Sequence, residues 1–182
     1  MPVAPPETLT PKTLTLDRIP TPIGTALVVS DEAAVLRAFN WIDYEPAMLT
    51  WIGKHYPKAS LAEGRGPLRP QFDAYFAGET DALDTVAWYG AGTAFQQQCW
   101  RMLCAIPAGE TWTYAQLAQR IGRPTAVRAV GHANGANPVA LVVPCHRVIG
   151  SNGSLTGYGG SLPRKAWLLE HEGASFRRDL AA

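Results

Sequence analysis

The sequence predicts an α/β (α+β) fold in two parts: a small N-terminal α/β domain with a short antiparallel sheet, then a mainly helical C-terminal domain containing a helix-turn-helix and Cys145. Three observations predict it. β-rich segments lie in the first quarter of the chain, apolar residues at helical spacing dominate beyond Gly92, and the charge changes sign between the halves. A chain of 182 residues can hold one ordinary domain or two small ones, and the composition shift places the boundary between residues 1–90 and 91–182.

In chain order, Met1 to Pro11 is rich in Pro and Thr and reads as a short flexible lead-in without a signal peptide. Thr21 to Ser30 and Val35 to Trp41 read as paired strands separated by a polar turn at Asp31-Glu32. A helical stretch from Glu45 to Tyr56 follows, then a Gly/Pro-rich loop around Gly64 to Pro70. A short helix comes next, with Phe72, Tyr75 and Phe76 at helical spacing, closed by Gly78. This half holds no convergent polar cluster and reads as support. Residues 79–92 are acidic and irregular, as a linker would be.

The second part opens with a helix from about Thr93 to Ile106, whose Phe95, Cys99, Met102, Leu103 and Ile106 form one apolar stripe. Cys99 and Cys104 therefore read as core fillers. Thr113 with Gln116 three residues on is a capping-box pattern, and starts a helix that reaches about Ile121. Gly122-Arg123-Pro124 forces a turn, and a further helix runs from about Thr125 to Asn134. Two short helices joined by a tight glycine turn form a helix-turn-helix pattern. Ala140 to Val143 is an apolar run fit for a buried strand, stopped by Pro144, and a last helix spans Arg164 to Gly173.

Charge and cysteine usage restrict the function. Residues 1–90 carry 7 Lys/Arg against 11 Asp/Glu, and residues 91–182 carry 9 against 4. From Thr111 to Leu169 there is no carboxylate, while Arg120, Arg123, Arg128, Arg147, Arg164 and Lys165 all fall there. Such a stretch is the electrostatic footprint of a polyanion site, and the helix-turn-helix inside it favours nucleic acid. An odd count of three cysteines without a CxxC speaks against a disulfide framework and against structural zinc, so no metal is expected. A reducing, intracellular (cytoplasmic) home follows. No apolar run is long enough to span a bilayer, so no membrane partner is expected.

Cys145 and His146 follow Pro144 directly. Neighbours in a strand point to opposite faces, so the backbone must turn here if thiol and imidazole are to cooperate. A free thiol is only a few per cent thiolate at neutral pH, and a histidine within reach, directly or through one water, raises that fraction. Glu172 is the candidate to orient the histidine, with Glu170 as the other option. The glycine-rich loop Gly150 to Gly160 permits close backbone approach to a ligand, and its Tyr158 offers an aromatic wall. Taken alone, a Cys-His dipeptide reads as a structural cysteine beside an unrelated histidine.

Ordered motifs extend well beyond that dipeptide. Gly92 to Gln96, Ile106 to Thr111, Thr113 to Ala118, Arg128 to Gly131, Ala133 to Pro138, Val143 to Gly150, Leu155 to Tyr158 and Arg164 to Leu169 together resemble the O6-alkylguanine-DNA alkyltransferases (methylated-DNA–protein-cysteine methyltransferases). A looser resemblance reaches Thr21 to Gly24 and Tyr75 to Gly78. The resemblance implies a DNA-repair protein that flips O6-alkylguanine out of duplex DNA and moves the alkyl group irreversibly to Cys145, without a cofactor. It implies that His146 and Glu172 form a water-linked relay behind Cys145, that Asn137 braces the turn between recognition helix and active-site strand, and that Tyr114 lies near the flipped nucleotide. Arg128 is implied to fill the gap in the duplex, with Thr125, Ala126 and Gly131 beside it on the DNA face. Val148, Tyr158, Gly159 and Gly160 are implied to line the base pocket.

The implied partner is double-stranded DNA carrying O6-alkylguanine, with O4-alkylthymine a second candidate lesion. The implied state is a monomer in solution that can cooperate on DNA. This chain departs from the family pattern at Ala94, at His132 and in the Gly159, Ser161 and Pro163 loop; the loop bears on which alkyl groups are accepted. The alternatives are a non-catalytic lesion-binding protein of the same fold, a helix-turn-helix transcription factor, and a papain-like hydrolase. The first lacks the cysteine, the second leaves the Cys-His-Glu set without a purpose, and the third wants its cysteine and histidine far apart in sequence.

Overall fold

Alternating Thr13-Leu14-Thr15-Leu16 opens the first strand of the computed structural model, which describes residues 10–178. Most of the expected lead-in, Met1 to Leu9, lies outside the described residues. The chain divides into two units, residues 1–91 and 92–182.

In the first unit β1 (Thr13–Thr21), β2 (Gly24–Asp31), β3 (Leu36–Trp41) and β4 (Ser60–Glu63) form one sheet in the order β3-β2-β1-β4. β1 pairs antiparallel with β2 and β2 with β3, whereas β4 runs parallel to β1. The strand pair expected from the sequence is β2 and β3, and two strands go beyond it. β1 carries the period-2 signal of Leu14 and Leu16, both buried. Its Pro20 is tolerated because β4 pairs only with Thr13 to Leu16, leaving the far end of that edge without a ladder to donate to. All four β4 residues are exposed, so hydrophobic pattern could not have announced that strand.

Helix α1 (Glu45–His55) covers one sheet face, packing Met48 and Ile52 against Leu14, Leu16, Leu27, Val29 and Ala38. Helix α2 (Arg69–Phe76) covers the other, with Phe72 stacked on Phe39 at 5.8 Å. Residues 79–91 are not the free linker expected from their acidity. Leu83, Val86 and Trp88 are buried, and the Leu36 N–H donates to Ala87 O (2.8 Å) while the Tyr89 N–H donates to Leu36 O (2.9 Å). The acidic side chains Glu79, Asp81 and Asp84 simply face outward from a segment that is itself packed.

The second unit contains α3 (Ala94–Leu103), α4 (Tyr114–Arg120), α5 (Val127–Gly135) and α6 (Leu162–His171). A two-residue parallel pair, β5 (Trp112–Thr113) with β6 (Val148–Ile149), completes it. Thr93 and Thr113 each cap a helix, exchanging bonds with Gln96 and Gln116, so the capping box expected at α4 recurs at α3. α3 buries Cys99, Trp100 and Leu103 and stops three residues short of Ile106. Trp100, off the predicted stripe, donates its indole N–H to Ala133 O at 2.8 Å and so ties α3 to α5. Gly122 takes φ +74° in the α4–α5 turn, a left-handed conformation that favours glycine.

Leu141 to Val143 are buried and Ala140 is half-buried, but the run is not the strand expected from its apolar composition. Leu141 has φ +69°, and Val143 N–H returns to Val139 O at 3.0 Å, making a closed turn. Apolar composition reported burial here, not backbone shape. Among the described residues no helix is long and apolar enough to cross a membrane.

Replacing Trp100 by Phe should destabilise the protein by about 2–3 kcal/mol, through a buried carbonyl left without its donor and an unfilled volume. Urea unfolding at equilibrium checks this; an unchanged midpoint would remove Trp100 from the frame that supports α5.

Candidate active site and nucleic-acid interface

The turn required between thiol and imidazole is present. Pro144 (φ −81°, ψ 64°) sits at the centre of an inverse γ-turn in which Cys145 N–H donates to Val143 O at 2.8 Å. Cys145 to Arg147 then form one 3-10 turn, so three consecutive side chains leave the backbone in different directions. Asn137 brackets the approach: its Nδ2 donates to Val143 O (2.8 Å) and its Oδ1 accepts from Val139 N–H (3.1 Å). Asn137 therefore holds the closed turn that precedes Cys145, where an active-site strand was expected.

The expected choice between Glu170 and Glu172 is decided by position. Glu170 faces outward and pairs with Arg178. Glu172 caps the C-terminal end of α6 and is buried, with Oε1 2.9 Å from His146 Nε2. Its remaining acceptor capacity goes to Arg147, whose Nε donates to Oε2 (2.8 Å) and Nη2 to Oε1 (3.0 Å). The third guanidinium nitrogen, Nη1, donates to Ile106 O at 2.6 Å. Gly109 follows in the same connection with φ +85°, a left-handed conformation that favours glycine, and a Cβ there would crowd Glu172 O at 3.2 Å.

These contacts set the protonation states. Burial alone would raise the Glu172 carboxyl, but the hydrogen bonds of His146 and Arg147, with the Arg147 charge, outweigh it and hold the group far below the usual carboxylate range. Burial holds His146 below the ordinary imidazole value, against the pull of Glu172. At neutral pH the pair is therefore a carboxylate and a neutral imidazole. A carboxylate only accepts, so the imidazole proton is assigned to Nε2 and the lone pair to Nδ1, which has no hydrogen-bond partner among the described residues. Burial pushes the Cys145 thiol up, opposed first by the Asn137 side chain and then by the charge of Lys165. Cys145 is 5% exposed. Among the described residues its side chain makes no direct hydrogen bond to His146.

Tyr114 begins α4 and lies beneath α5: a Cβ added at Gly131 would be 3.9 Å from its Cδ1. Burial raises its hydroxyl, the side chains of Thr156 and Asn134 pull it back, and Cys145 lies within electrostatic reach. Tyr114, Asn137, Cys145, His146 and Glu172 thus form one constellation, as a set read from separate motifs would need. Val148 is buried, Tyr158 and Gly160 are largely inside the glycine-rich loop, and Gly159 is exposed. Ser161 takes φ +85° at the start of α6, a conformation uncommon for a residue with a side chain.

The helix α5 buries Val130, Ala133 and Asn134 and turns Thr125, Arg128, Ala129 and His132 outward, with Ala126 and Gly131 half-buried. Arg128 makes no ion pair or hydrogen bond among the described residues, as a side chain held for a partner would. Arg120 and Arg123 are also exposed, Arg120 lying 3.9 Å over the Trp112 ring. The polyanion footprint needs one correction: Arg147 and Lys165, counted into it from sequence, are buried at 5% and 0% exposure. The charge run could not show this, because a cation's burial depends on acceptors that come from distant segments.

Comparison with known proteins follows the same line. The family model for the 6-O-methylguanine DNA methyltransferase DNA-binding domain matches residues 94–174. The methylated-DNA–protein-cysteine methyltransferase of Shigella flexneri is 46% identical over 161 residues, covering 86% of this chain and 94% of the relative. The chain belongs to the methylated-DNA–protein-cysteine methyltransferase family. In three dimensions it is similar to the crystal structure of Mycobacterium tuberculosis O6-methylguanine methyltransferase, with TM-score 0.73, 41% identity, and coverage of 88% of this chain and 93% of that one. A crystal structure of Mycobacterium tuberculosis OGT in complex with DNA matches with the same TM-score and identity, covering 87% and 92%.

Within this methyltransferase fold, Arg147, Lys165, Asn134 and Thr156 are site residues that sequence reasoning did not single out. The signal for the first two was their position in a carboxylate-free stretch, where it read as surface charge. Asn134 and Thr156 had no signal beyond their place in the matching motifs.

The Glu172 pair gives a pH dependence with a definite sign. Its folded-state value is depressed, so its stabilisation is complete above the unfolded carboxyl range near pH 4.5 and fades as acid protonates the unfolded chain's preferred state. The stability gap between the native protein and Glu172→Gln should therefore narrow by roughly 2 kcal/mol between pH 7 and pH 3. Urea titrations of both proteins at the two pH values test it; a constant gap would mean that folding does not lower the Glu172 carboxyl.

Proposed function

We propose that this protein is a single-turnover DNA-repair methyltransferase that takes the alkyl group from O6-alkylguanine onto Cys145. The observation that carries the reading is the Cys145 turn itself. A buried thiol is presented beside a neutral imidazole whose far nitrogen rests on an ionised, clamped carboxylate, in the same unit as a helix that turns a free arginine outward.

The exposed side of α4 and α5 meets duplex DNA, with Thr125, Ala126 and Gly131 allowing close approach and Arg128 entering from the minor groove. The damaged guanine leaves the stack at a cost of a few kcal/mol, less than for a well-paired base, and Arg128 offsets part of it. The extruded base reaches Cys145 between the Val148 backbone and the Tyr158, Gly159 and Gly160 loop. His146, through its Nδ1 and one bridging water, takes the thiol proton, and Glu172 stabilises the imidazolium that results. The thiolate attacks the alkyl carbon: an S–C bond forms, the C–O6 bond breaks, and the electron pair stays with guanine. The Tyr114 hydroxyl donates a proton to the departing base and regains one from the imidazolium through solvent.

The product is a thioether, which offers no carbonyl for water to attack, so the reaction ends after one event. Double-stranded DNA is the partner, and the three free cysteines suit a reducing cytoplasm.

Incubation with duplex DNA carrying labelled O6-methylguanine should move about one methyl group to each protein molecule, and Cys145→Ala should abolish transfer. Continuing turnover, or transfer that survives the substitution, would overturn the reading; binding without transfer would favour a lesion-binding protein. Arg128→Ala should slow repair of duplex by about tenfold to a hundredfold while leaving reaction with free O6-benzylguanine nearly unchanged, because only the duplex requires extrusion. Equal losses on both substrates would remove Arg128 from the flipping step.

A further inference from the structure

The end of α6 turns the chain back onto the glycine-rich loop. Gly173 takes φ +73° and its N–H donates to Glu170 O (3.0 Å), while Ala174 N–H donates to Leu169 O (2.8 Å). This pair of bonds is a Schellman motif, and the apolar contact that accompanies it is present, since Ala174 packs against the cluster that contains Leu169. Residues 174–177 then run beside the loop and join it in two ways. Arg177 N–H donates to Gly153 O at 2.9 Å, and Arg177 forms a parallel bridge with Ser154. Phe176 packs with Ala174 against Ile149, Leu155 and Leu169, a cluster that takes one residue from before the loop, one from inside it and one from α6. Within the loop, Gly150 N–H donates to Ser154 O (2.9 Å) and Gly153 N–H to Gly150 O (3.0 Å), and Ser154 and Leu155 are buried. From Gly150 to Gly160 the large side chains are Leu155 and Tyr158 alone. A segment so rich in glycine loses much conformational freedom on being ordered, and contacts from outside it must offset that loss.

We propose that residues 174–177 form a strap, anchored by Phe176, that fixes the loop and thereby restricts which alkyl groups reach Cys145; this rests on the loop lining the base pocket in the repair reaction. Phe176 is a positioning residue, acting through Leu155 on the Tyr158 wall three residues further on. A loop held at Ser154 and Leu155 keeps that wall in one place and gives the pocket one size. Released, the loop moves aside for a larger substituent and positions a small one less well, so the strap favours small groups over large. The cluster under Phe176 is apolar and the Arg177 bond is made by backbone, so the strap has no titrating group in its hold on the loop.

The test compares the native protein, Phe176→Ala and Phe176→Leu as full chains. Hydrogen exchange without DNA should show the amides of residues 150–157 exchanging about tenfold faster in Phe176→Ala, with those of α5 unchanged and most protection restored by leucine. Alkyl transfer is then timed on duplexes carrying O6-methylguanine or O6-benzylguanine. The benzyl-to-methyl rate ratio should rise about tenfold in Phe176→Ala and return toward the native ratio in Phe176→Leu. Unchanged loop exchange, faster exchange throughout the chain, or a loosened loop with an unchanged ratio would each overturn the proposal. Should Phe176→Ala not fold, the native protein and Phe176→Leu decide: loop amides that open together with the Arg177 amide support the strap, and loop amides that open while it stays closed overturn it. Loosening confined to the loop, in a protein that takes no alkyl group from either duplex, would sink the repair reading while sustaining the strap.

Discussion

The second unit is organised around a carboxylate that has no access to water. Glu172 is buried at the end of α6, and an uncompensated charge there would cost several kcal/mol. Compensation comes from a single 3-10 turn, which supplies His146 to one oxygen and Arg147 to both. Arg147 reaches on to Ile106 O, so the end of α3, the reactive turn and the end of α6 are held at one point. The same clamp that satisfies Glu172 aims the imidazole and fixes its tautomer. Stability and site geometry are therefore not separable here: loosening the carboxylate would also misplace the imidazole beside Cys145.

Around that point the unit distributes its tasks by exposure. α5 buries one side against α3 and α4 and offers the other, with small residues flanking Arg128, to a partner. Cys145 sits on the opposite logic, nearly enclosed and surrounded by fixed neighbours rather than by solvent. A small enclosed thiol of this kind suits a base brought to it, and the helix that would deliver the base is tied by the Trp100 indole to the frame that also carries the reactive turn.

Much of this was legible in the chain. The capping box at Thr113, the glycine turn at Gly122, and the paired strands β2 and β3 depend on neighbours within a few residues, and local pattern reports such features well. The requirement that the backbone bend at Pro144 was likewise a local argument, and the bend is there. β4 was not legible, because an exposed edge strand is held by backbone ladder bonds that leave no side-chain pattern. Ala140 to Val143 misled for the converse reason: its side chains are buried as a strand's would be, while the chain closes into a turn around Asn137.

The charge run shows most clearly where sequence stops. It marked residues 111–169 as cationic and without carboxylates, and that alone pointed to a polyanion. It could not sort Arg120, Arg123 and Arg128, which face outward, from Arg147 and Lys165, which lie inside. Nor could it choose Glu172 over Glu170, two residues apart on one helix end. The sequence by itself determined the bend before Cys145-His146, the helix pair and the sign of the field, since these follow from residue type and short-range spacing. Only the tertiary structure decided which charges are internal and what each one neutralises, because a charge is stable in the interior only where segments distant in sequence bring its partners to it.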